Sequence, residues 1–508
     1  KHKFVTQDLF PGDQLFMYGV LVGTAQGFIP RGSVITTSNV RHAANSFEVG
    51  ERKLEWHMPD VSKFLNKTFM GFHRPDGKVG TANYWLVIPL VFCENRNLEV
   101  LREALVNELG YGRNQNKKVE VSKLIDIYKS GKSADEILNA DISVEKEEAK
   151  KQRIFANVDG IKFLTHEGGC GGTRQDSQAL CGLLAGYIAH ANVAGATVLS
   201  LGCQNAQVEI LLEEIIKRDT NFSKPLYVLE QQKIGSENDL ISQAIRQTFA
   251  GLVQANTIER KPAPLSKLMI GLECGGSDGF SGISANPAIG YTSDLLVALG
   301  GSVILAEFPE LCGVEQNLSD RCITTDTAKR FGDLMKTYND RAKAVGSGFD
   351  MNPSPGNIKD GLITDSIKSA GAAKKGGTSP VTDVLDYPEM VTKPGLNLLC
   401  TPGNDVESTT AEVASGANIV LFTTGLGTPT GNPITPVIKV SSNTILYNKM
   451  HDIIDINTGT IIEGTETIEQ AGERILEYII KVASGEVEIS AVRHLQNDFI
   501  PWKRGVSL

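Results

Sequence analysis

An α/β protein carrying a small all-β module at its N-terminus is the fold class this sequence predicts, and three observations carry the prediction. Short apolar runs of strand length recur along most of the chain, each followed by a polar loop and then by a helical pattern. Fifty-one glycines in 508 residues supply the tight strand-to-helix turns that such an alternation needs. The first 45 residues differ, being short strand-like pieces cut by Pro11-Gly12 and Pro30-Arg31-Gly32.

The length exceeds what one core can organise, so two to four domains are expected. With 41% hydrophobic and 21% charged residues the composition is that of a soluble globular protein. A net charge of −9 argues against a nucleic-acid partner. No apolar run approaches the roughly 20 residues that span a bilayer, which argues against a membrane partner. Eight cysteines, at 93, 170, 181, 203, 274, 312, 322 and 400, are too sparse for a disulfide scaffold, so reduced thiols in a cytoplasmic protein are expected. The chain opens at Lys1 in mid-pattern, without a signal-like segment, as if residues preceded it.

In chain order, 1–45 reads as the β module and 46–68, with Glu48, Glu51, Glu55, Pro59 and Asp60, as a linker. Residues 69–258 read as the first α/β domain. Its turn-rich start GFHRPDGKVGTANY leads into the apolar run Trp85–Phe92, Cys93 and a helix over 97–109 with Leu98, Leu101, Leu105 and Leu109 on one face. The polar segment 112–153 reads as a solvated insertion. Strands at 161–164, 196–201 and 226–229 then alternate with helices at about 177–191, 206–217 and 236–255. They end in Thr165-His166-Glu167-Gly-Gly-Cys170, in Gly202-Cys203-Gln204-Asn205 and in Glu230-Gln231-Gln232. Charged Glu259–Pro264 marks a boundary before a second α/β domain over 265–508.

That domain opens on the stretch with most chemistry. Strand Leu268–Leu272 ends in Glu273, Cys274 and a glycine-rich loop, and Asn286-Pro287 starts a helix that Gly300-Gly301 stops. Strand Val303–Ala306 then ends in Glu307, Pro309, Glu310 and Cys312. This is a βαβ unit with polar groups on both strand ends, and open α/β sheets bind ligands there. Segment 313–385 reads as loop-rich, with long excursions near the site. Strands at 396–400, 419–422 and 437–440 follow, with a helix at 406–415 and a capping-box-like Thr467-Ile-Glu-Gln470 before the last helix.

The polar strand ends suggest a substrate. Glycine-rich loops offer backbone N–H groups, while Thr and Asn offer hydroxyl and amide contacts, which together suit a polyhydroxylated acid. Glu167, Glu273, Glu307 and Glu310, with His166, are candidates for binding a hard divalent cation or for acid and base. HExxH, CxxC and GxxxxGK[ST] are missing from the sequence. Gly275-Gly-Ser277-Asp-Gly279 matches GxSxG, but the loop runs on to about Ala285, whereas a nucleophile elbow enters its helix directly.

Longer segments carry a resemblance. HKF at 2–4, YGVLVGTA at 18–25, DGKVGTANY at 76–84 and EGGCGG at 167–172 are similar to the altronate/galactarate sugar-acid dehydratase family. So are GLECGGSDGFSG at 271–282, ILAEFPELCG at 304–313 and TTGLGTPTGNPITPVIKVSSN at 423–443. The resemblance implies a hydro-lyase converting D-altronate to 2-dehydro-3-deoxy-D-gluconate and water, aided by ferrous or manganous ion. It also implies an SAF-like N-terminal domain, incomplete at its start, and a Rossmann-like C-terminal catalytic domain. His166, Glu273, Glu307 and Glu310 are then the expected catalytic groups. Arg174 and Lys439 are expected to hold the substrate carboxylate, and Asn205, Ser277, Asp278, Thr424 and Asn443 the rest of the sugar acid. Glu167, Cys170, Cys203 and Cys274 are the expected metal ligands. The family's HxHN pattern aligns with Thr36-Thr37-Ser38-Asn39, a departure that His2 or His42 would have to offset.

The expected partner is a small-molecule sugar acid, and a homodimer is expected because soluble enzymes commonly form one. Rival readings are a galactarate or related sugar-acid substrate, an iron–sulfur cluster on Cys170, Cys203, Cys274 and Cys312, and a sugar-acid-binding protein without activity. A nicotinamide oxidoreductase is disfavoured because GLECGGSDG does not fit GxGxxG.

Overall fold

Two parallel sheets, each wrapped by helices, carry most of the computed structural model, which describes residues 1–45, 47–112, 117–145 and 152–507. Among the described residues no helix is long and apolar enough to cross a membrane.

The N-terminal segment is antiparallel β structure. Gln14–Met17, Val20–Ala25 and Val40–Arg41 form a three-stranded sheet, and bridges pair Phe4 with Val34 and Leu9 with Ile29. Leu15, Val22 and Val40 belong to the core, and Leu21, on the opposite face of its strand, is buried as well. The expected linker is a mostly exposed strap pinned to the C-terminal unit at a few points. The Lys53 N–H donates to Asp320 O at 2.7 Å, Lys63 bridges Glu473 and Glu477 at 2.9 Å each, and Phe64 is 1% exposed.

The first α/β unit holds four parallel strands, in the order Leu226–Glu230, Val193–Ser200, Tyr84–Pro89, Gly160–Phe163. Both central strands are wholly buried, as continuous apolar runs in a parallel sheet must be. Helices Asn95–Leu105 and Glu237–Ala255 cover one face, around Trp85, Leu98, Leu101 and Leu252. Helix Arg174–Ala189 covers the other. Twelve of its sixteen residues are buried because its far side packs on helix Asp405–Ala414 of the C-terminal unit. A methyl group on Gly186 would run into the Ala414 carbonyl, so the two units share one continuous core there. In the insertion, Val121–Lys129 and Ala134–Leu138 are helices without a buried residue. Residues 113–116 and 146–151 of that insertion, like Ser46 in the linker, lie outside the described residues.

The C-terminal sheet has seven parallel strands, ordered Val381–Leu385, Gly395–Leu399, Ser302–Leu305, Met269–Cys274, Ile419–Thr424, Val437–Ser441, Ile456–Asn457. The chain starts this sheet at Met269–Cys274, builds outward on one side and returns to the other at Ile419–Thr424. The crevice above those two strands is the topological switch point.

The structure corrects the loop-rich reading of 313–385, which contains the twenty-residue helix Thr325–Ala344 and the helix Asp365–Ala372. The first buries only Thr327, Ala328, Phe331 and Met335, so its apolar stripe is too thin to stand out in a polar sequence. The second is alanine- and glycine-rich and wholly buried between the β module and the main sheet; Thr364 donates to Val22 O at 2.9 Å.

A buried carboxylate, thiol and amine cluster at the switch point

Glu273 and Cys274 end the central strand Met269–Cys274, where successive side chains point to opposite faces. Glu273 turns toward helix Asp405–Ala414, which brings Asp405 and Glu412; Cys274 turns toward the segment Ala373–Gly376, which brings Lys375. Glu307 follows strand Ser302–Leu305 in a left-handed backbone conformation (φ 62°, ψ 61°), rare for a residue with a side chain. Its N–H donates to Thr401 Oγ1 at 2.8 Å, which holds that conformation. The turn aims its carboxylate back over the neighbouring strand. Oε2 accepts from Lys375 Nζ at 2.7 Å and from the Cys274 N–H at 3.3 Å.

Lys375 Nζ also lies 2.9 Å from Cys274 Sγ, and the thiol donates to Glu310 Oε2 at 3.0 Å. The other Glu310 oxygen pairs with Lys368 Nζ at 2.6 Å, and Lys368 donates to Asn352 Oδ1 at 2.6 Å. Glu412 accepts the Leu272 N–H at 2.9 Å. Position 275 must be glycine, since any Cβ there would overlap the Asp405 carboxylate.

Five carboxyl groups (Glu273, Glu307, Glu310, Asp405, Glu412) thus face two amines, Lys368 and Lys375, in a nearly dry site. They cannot all be ionised without a further cation. Burial, then Glu307 and Glu412, push Glu273 far above the usual carboxyl range. Burial likewise keeps Glu412 protonated, and burial with Glu307 and Glu310 raises Asp405 to about 7. Burial opposes ionisation of Glu310 too, but Lys368 and Lys375 outweigh it and hold this carboxylate below its ordinary value. Burial disfavours the Lys375 ammonium, yet Cys274 and the surrounding glutamates keep it charged.

Both Glu273 oxygens and Glu307 Oε1 are buried without a protein donor. A shared proton, a buried water or a cation would satisfy them. One oxygen each of Glu273, Glu307 and Asp405 lies within 4.8 Å of the others, a donor set that fits a hard divalent cation. Cys274, Glu307 and Glu310 form a second such group, already crossed by Lys375.

The glycine-rich loop after Cys274 is organised by Asp278. Its Oδ1 accepts from the N–H groups of Phe280 and Ser281 and from the hydroxyls of Ser281 and Ser442, at 2.8–3.1 Å. Its Oδ2 receives Asn443 Nδ2 at 3.3 Å and lies 3.3 Å from Lys1 Nζ. Thr424 Oγ1 accepts the Gly427 N–H at 2.9 Å, and Asn443 caps helix Thr444–Lys449. Beside this loop lies a cleft, closed on its far side by the β module. Lys3, Met17 and Tyr18 line it from that module, and Ser277, Asn286 and Lys368 from the C-terminal unit. Lys3 donates to Gly279 O, and the Lys374 ammonium sits 3.4 Å from the centre of the Tyr18 ring. Lys368 joins cleft to cluster.

The structure therefore brings together Glu273, Cys274, Glu307 and Glu310, with Ser277, Asp278, Thr424 and Asn443 in the adjoining loops. His166, Glu167, Cys170, Arg174, Cys203 and Asn205 sit instead at the strand ends of the first α/β unit. The His166 ring is held by backbone on both sides, with Nε2 at 2.8 Å from Pro89 O and Nδ1 accepting from Gly168 N–H at 3.0 Å. Burial lowers its pKa to about 4, so it is neutral. Glu167, Cys170, Arg174, Cys203 and Asn205 lie at least partly open to solvent, and none belongs to either metal-binding group among the described residues. Lys439 is buried elsewhere, donating to Gln496 Oε1 at 2.9 Å, with its pKa lowered by burial to about 8. Thr36 and Ser38 bond each other at 2.7 Å, His2 is exposed, and His42 Nδ1 lies 3.5 Å from Ser366 Oγ. Sequence reasoning missed Lys368, Lys375, Asp405 and Glu412. Only Asp405, at the start of the helix that follows strand Gly395–Leu399, carried a signal that could have found it.

Two family profiles match the chain. Residues 71–256 match the one described as D-galactarate dehydratase/altronate hydrolase, second domain, and 265–507 the one described as D-galactarate/altronate dehydratase, C-terminal. The chain is 33% identical to an altronate dehydratase of Bacillus subtilis and 30% identical to one of Escherichia coli, over all of this chain and 92% of each relative. It is also 37% identical to an L-threo-forming galactarate dehydratase of Escherichia coli, over 57% of this chain and 56% of that protein.

Proposed function

Because the chain belongs to the D-galactarate/altronate dehydratase family, we propose that it is a sugar-acid dehydratase that acts on D-altronate to give 2-dehydro-3-deoxy-D-gluconate and water. The observation that carries this reading to a site is the cluster of Glu273, Cys274, Glu307, Glu310 and Lys375 at the switch point, opening through Lys368 onto a cleft.

The reaction breaks the C2–H and C3–O bonds. One group takes the C2 proton, another gives a proton to the departing C3 hydroxyl, and the enol left behind tautomerises to the 2-keto acid. This needs carboxyl groups in opposite protonation states side by side, and environment sets such pairs apart. Glu310 is held ionised and serves as proton acceptor. Asp405, the partly exposed carboxyl of the cluster, opens the site to solvent, from which the proton for the departing hydroxyl is drawn. A proton beside a carboxylate is barely acidic, so the developing negative charge must be met by fixed positive charge. Lys368 supplies it from the cleft side and Lys375 from beneath. Ser277 lines the cleft and would meet substrate hydroxyls once the β module moves off the loop, for the closed cleft has room only for water; Asn286 instead braces the wall, donating to Gly371 O and accepting from Thr423. Glu273, Glu307 and Asp405 would hold a divalent cation, ferrous or manganous, which when bound supplies Lewis-acid stabilisation of the substrate carboxylate.

The test is to incubate the metal-stripped full chain with D-altronate or galactarate, with Mn²⁺ or Fe²⁺ added or withheld, and to measure 2-keto-3-deoxy acid. Metal-dependent product from altronate, lost in Glu310→Gln, is the expected result. Tight binding of the acid with no product under any condition would overturn it.

A further inference from the structure

Three exposed thiols stand outside the site described above. Cys93 lies in the turn Phe92–Glu94 just beyond strand Tyr84–Pro89, Cys170 in the glycine-rich loop beyond Gly160–Phe163, and Cys203 in the loop beyond Val193–Ser200. These strands are neighbours in one parallel sheet, so all three loops emerge at its carboxyl edge.

Backbone hydrogen bonds fold the loops over one another. The Phe92 N–H donates to Gly168 O at 3.1 Å, and the N–H groups of Asn205 and Ala206 donate to Gly169 O at 2.9 and 3.1 Å. Cys170 follows that glycine pair directly, Cys93 follows Phe92 directly, and Cys203 stands two residues before Asn205. The crossing requires Gly169, because a Cβ there would run into the Leu90 carbonyl. All three thiols are free and exposed, although free cysteine generally prefers burial. The other five cysteines are buried or partly so. Gln232 Nε2 donates to Cys203 Sγ at 3.3 Å, an N–H···S contact of the kind that tunes thiolate ligands.

Thiolates select soft metals and iron–sulfur clusters over hard cations. The three sulfurs do not converge as single-ion ligands do, for no group with ligand atoms within 4.8 Å of one another contains them among the described residues. A multi-iron cluster spreads its thiolates over its own body and needs no such convergence. We propose that Cys93, Cys170 and Cys203 bind an iron–sulfur cluster at the carboxyl edge of the first α/β sheet. Three thiolates on a cluster that usually takes four leave one iron open to an oxygen ligand from a small molecule or water.

The full chain, purified without oxygen, tests this by its absorption near roughly 400 nm and by assay of iron and acid-labile sulfide. We expect the band, and, in a Glu307→Gln background that removes the carboxylate cation site, iron and sulfide in equal amounts. In that background Cys93→Ser, Cys170→Ser and Cys203→Ser should each lower the band, the iron and the sulfide at least fivefold while circular dichroism stays unchanged, and Cys322→Ala should retain them. Iron without labile sulfide, or a band that survives in the triple serine variant, would overturn the proposal. The readout is spectroscopic and Mn²⁺ builds no such cluster, so its failure is separable from failure of Mn²⁺-supported dehydration.

Discussion

Asp405 is the residue whose environment makes the sharpest prediction. Its carboxyl titrates at about 7 in the folded chain, against about 4 in an unfolded one. A raised carboxyl favours folding fully below the unfolded value, and that contribution is lost as pH rises through the folded value. In metal-free protein, urea unfolding of wild type relative to Asp405→Asn should therefore weaken by about 2–4 kcal/mol between pH 4 and pH 8. A difference that stays flat or strengthens with pH would mean that Asp405 is ionised in the fold throughout. At this scale the sequence showed half of the cluster. Glu273, Cys274, Glu307 and Glu310 were legible because each stands at or just beyond the end of an obvious apolar strand. Lys375 was not, since Ala370–Gly377 reads as loop, and only tertiary packing carries its ammonium beneath Glu307. His166 was named for its chemistry, but the local fold commits both ring nitrogens to backbone, which residue type alone does not reveal.

Elements were legible where apolar periodicity was strong. Helix Glu237–Ala255 and strand Tyr84–Pro89 are within a few residues of expectation because both face a sheet core. Their contact is tight. Gly251 on the helix lies against the Trp85 indole, so even one added methyl group overlaps the ring. Gly251→Ala should cost about 1–3 kcal/mol by overpacking, although alanine is the better helix former. Chemical denaturation will check this, and a stabilised variant would show that the indole has room to move. Helix Thr325–Ala344 escaped the sequence because its few buried positions are scattered along a surface that is otherwise charged. Helix Asp365–Ala372 escaped because it is buried all round and so has no amphipathic signature.

Across the whole molecule, the alternation of strands and helices foretold two α/β units behind a β module, but not how closely they are joined. The cleft exists only because the β module lays Lys3 and Tyr18 over a loop of the C-terminal unit, and no local pattern encodes that contact. The unbalanced carboxylates below it bear on global stability. Mn²⁺ at about one hundred times its dissociation constant should raise the unfolding free energy by about 2.7 kcal/mol, and Glu307→Gln should abolish most of that gain. A Tm that ignores Mn²⁺ would move the cation site elsewhere. The shared helix Arg174–Ala189 has a consequence for inheritance. With Gly186 against the Ala414 carbonyl, recombination between homologues at the 260–264 junction would separate surfaces shaped for each other. Chimeras crossing there are expected to fold only when the incoming helix also carries a glycine at that contact, so both halves should travel through evolution as one unit.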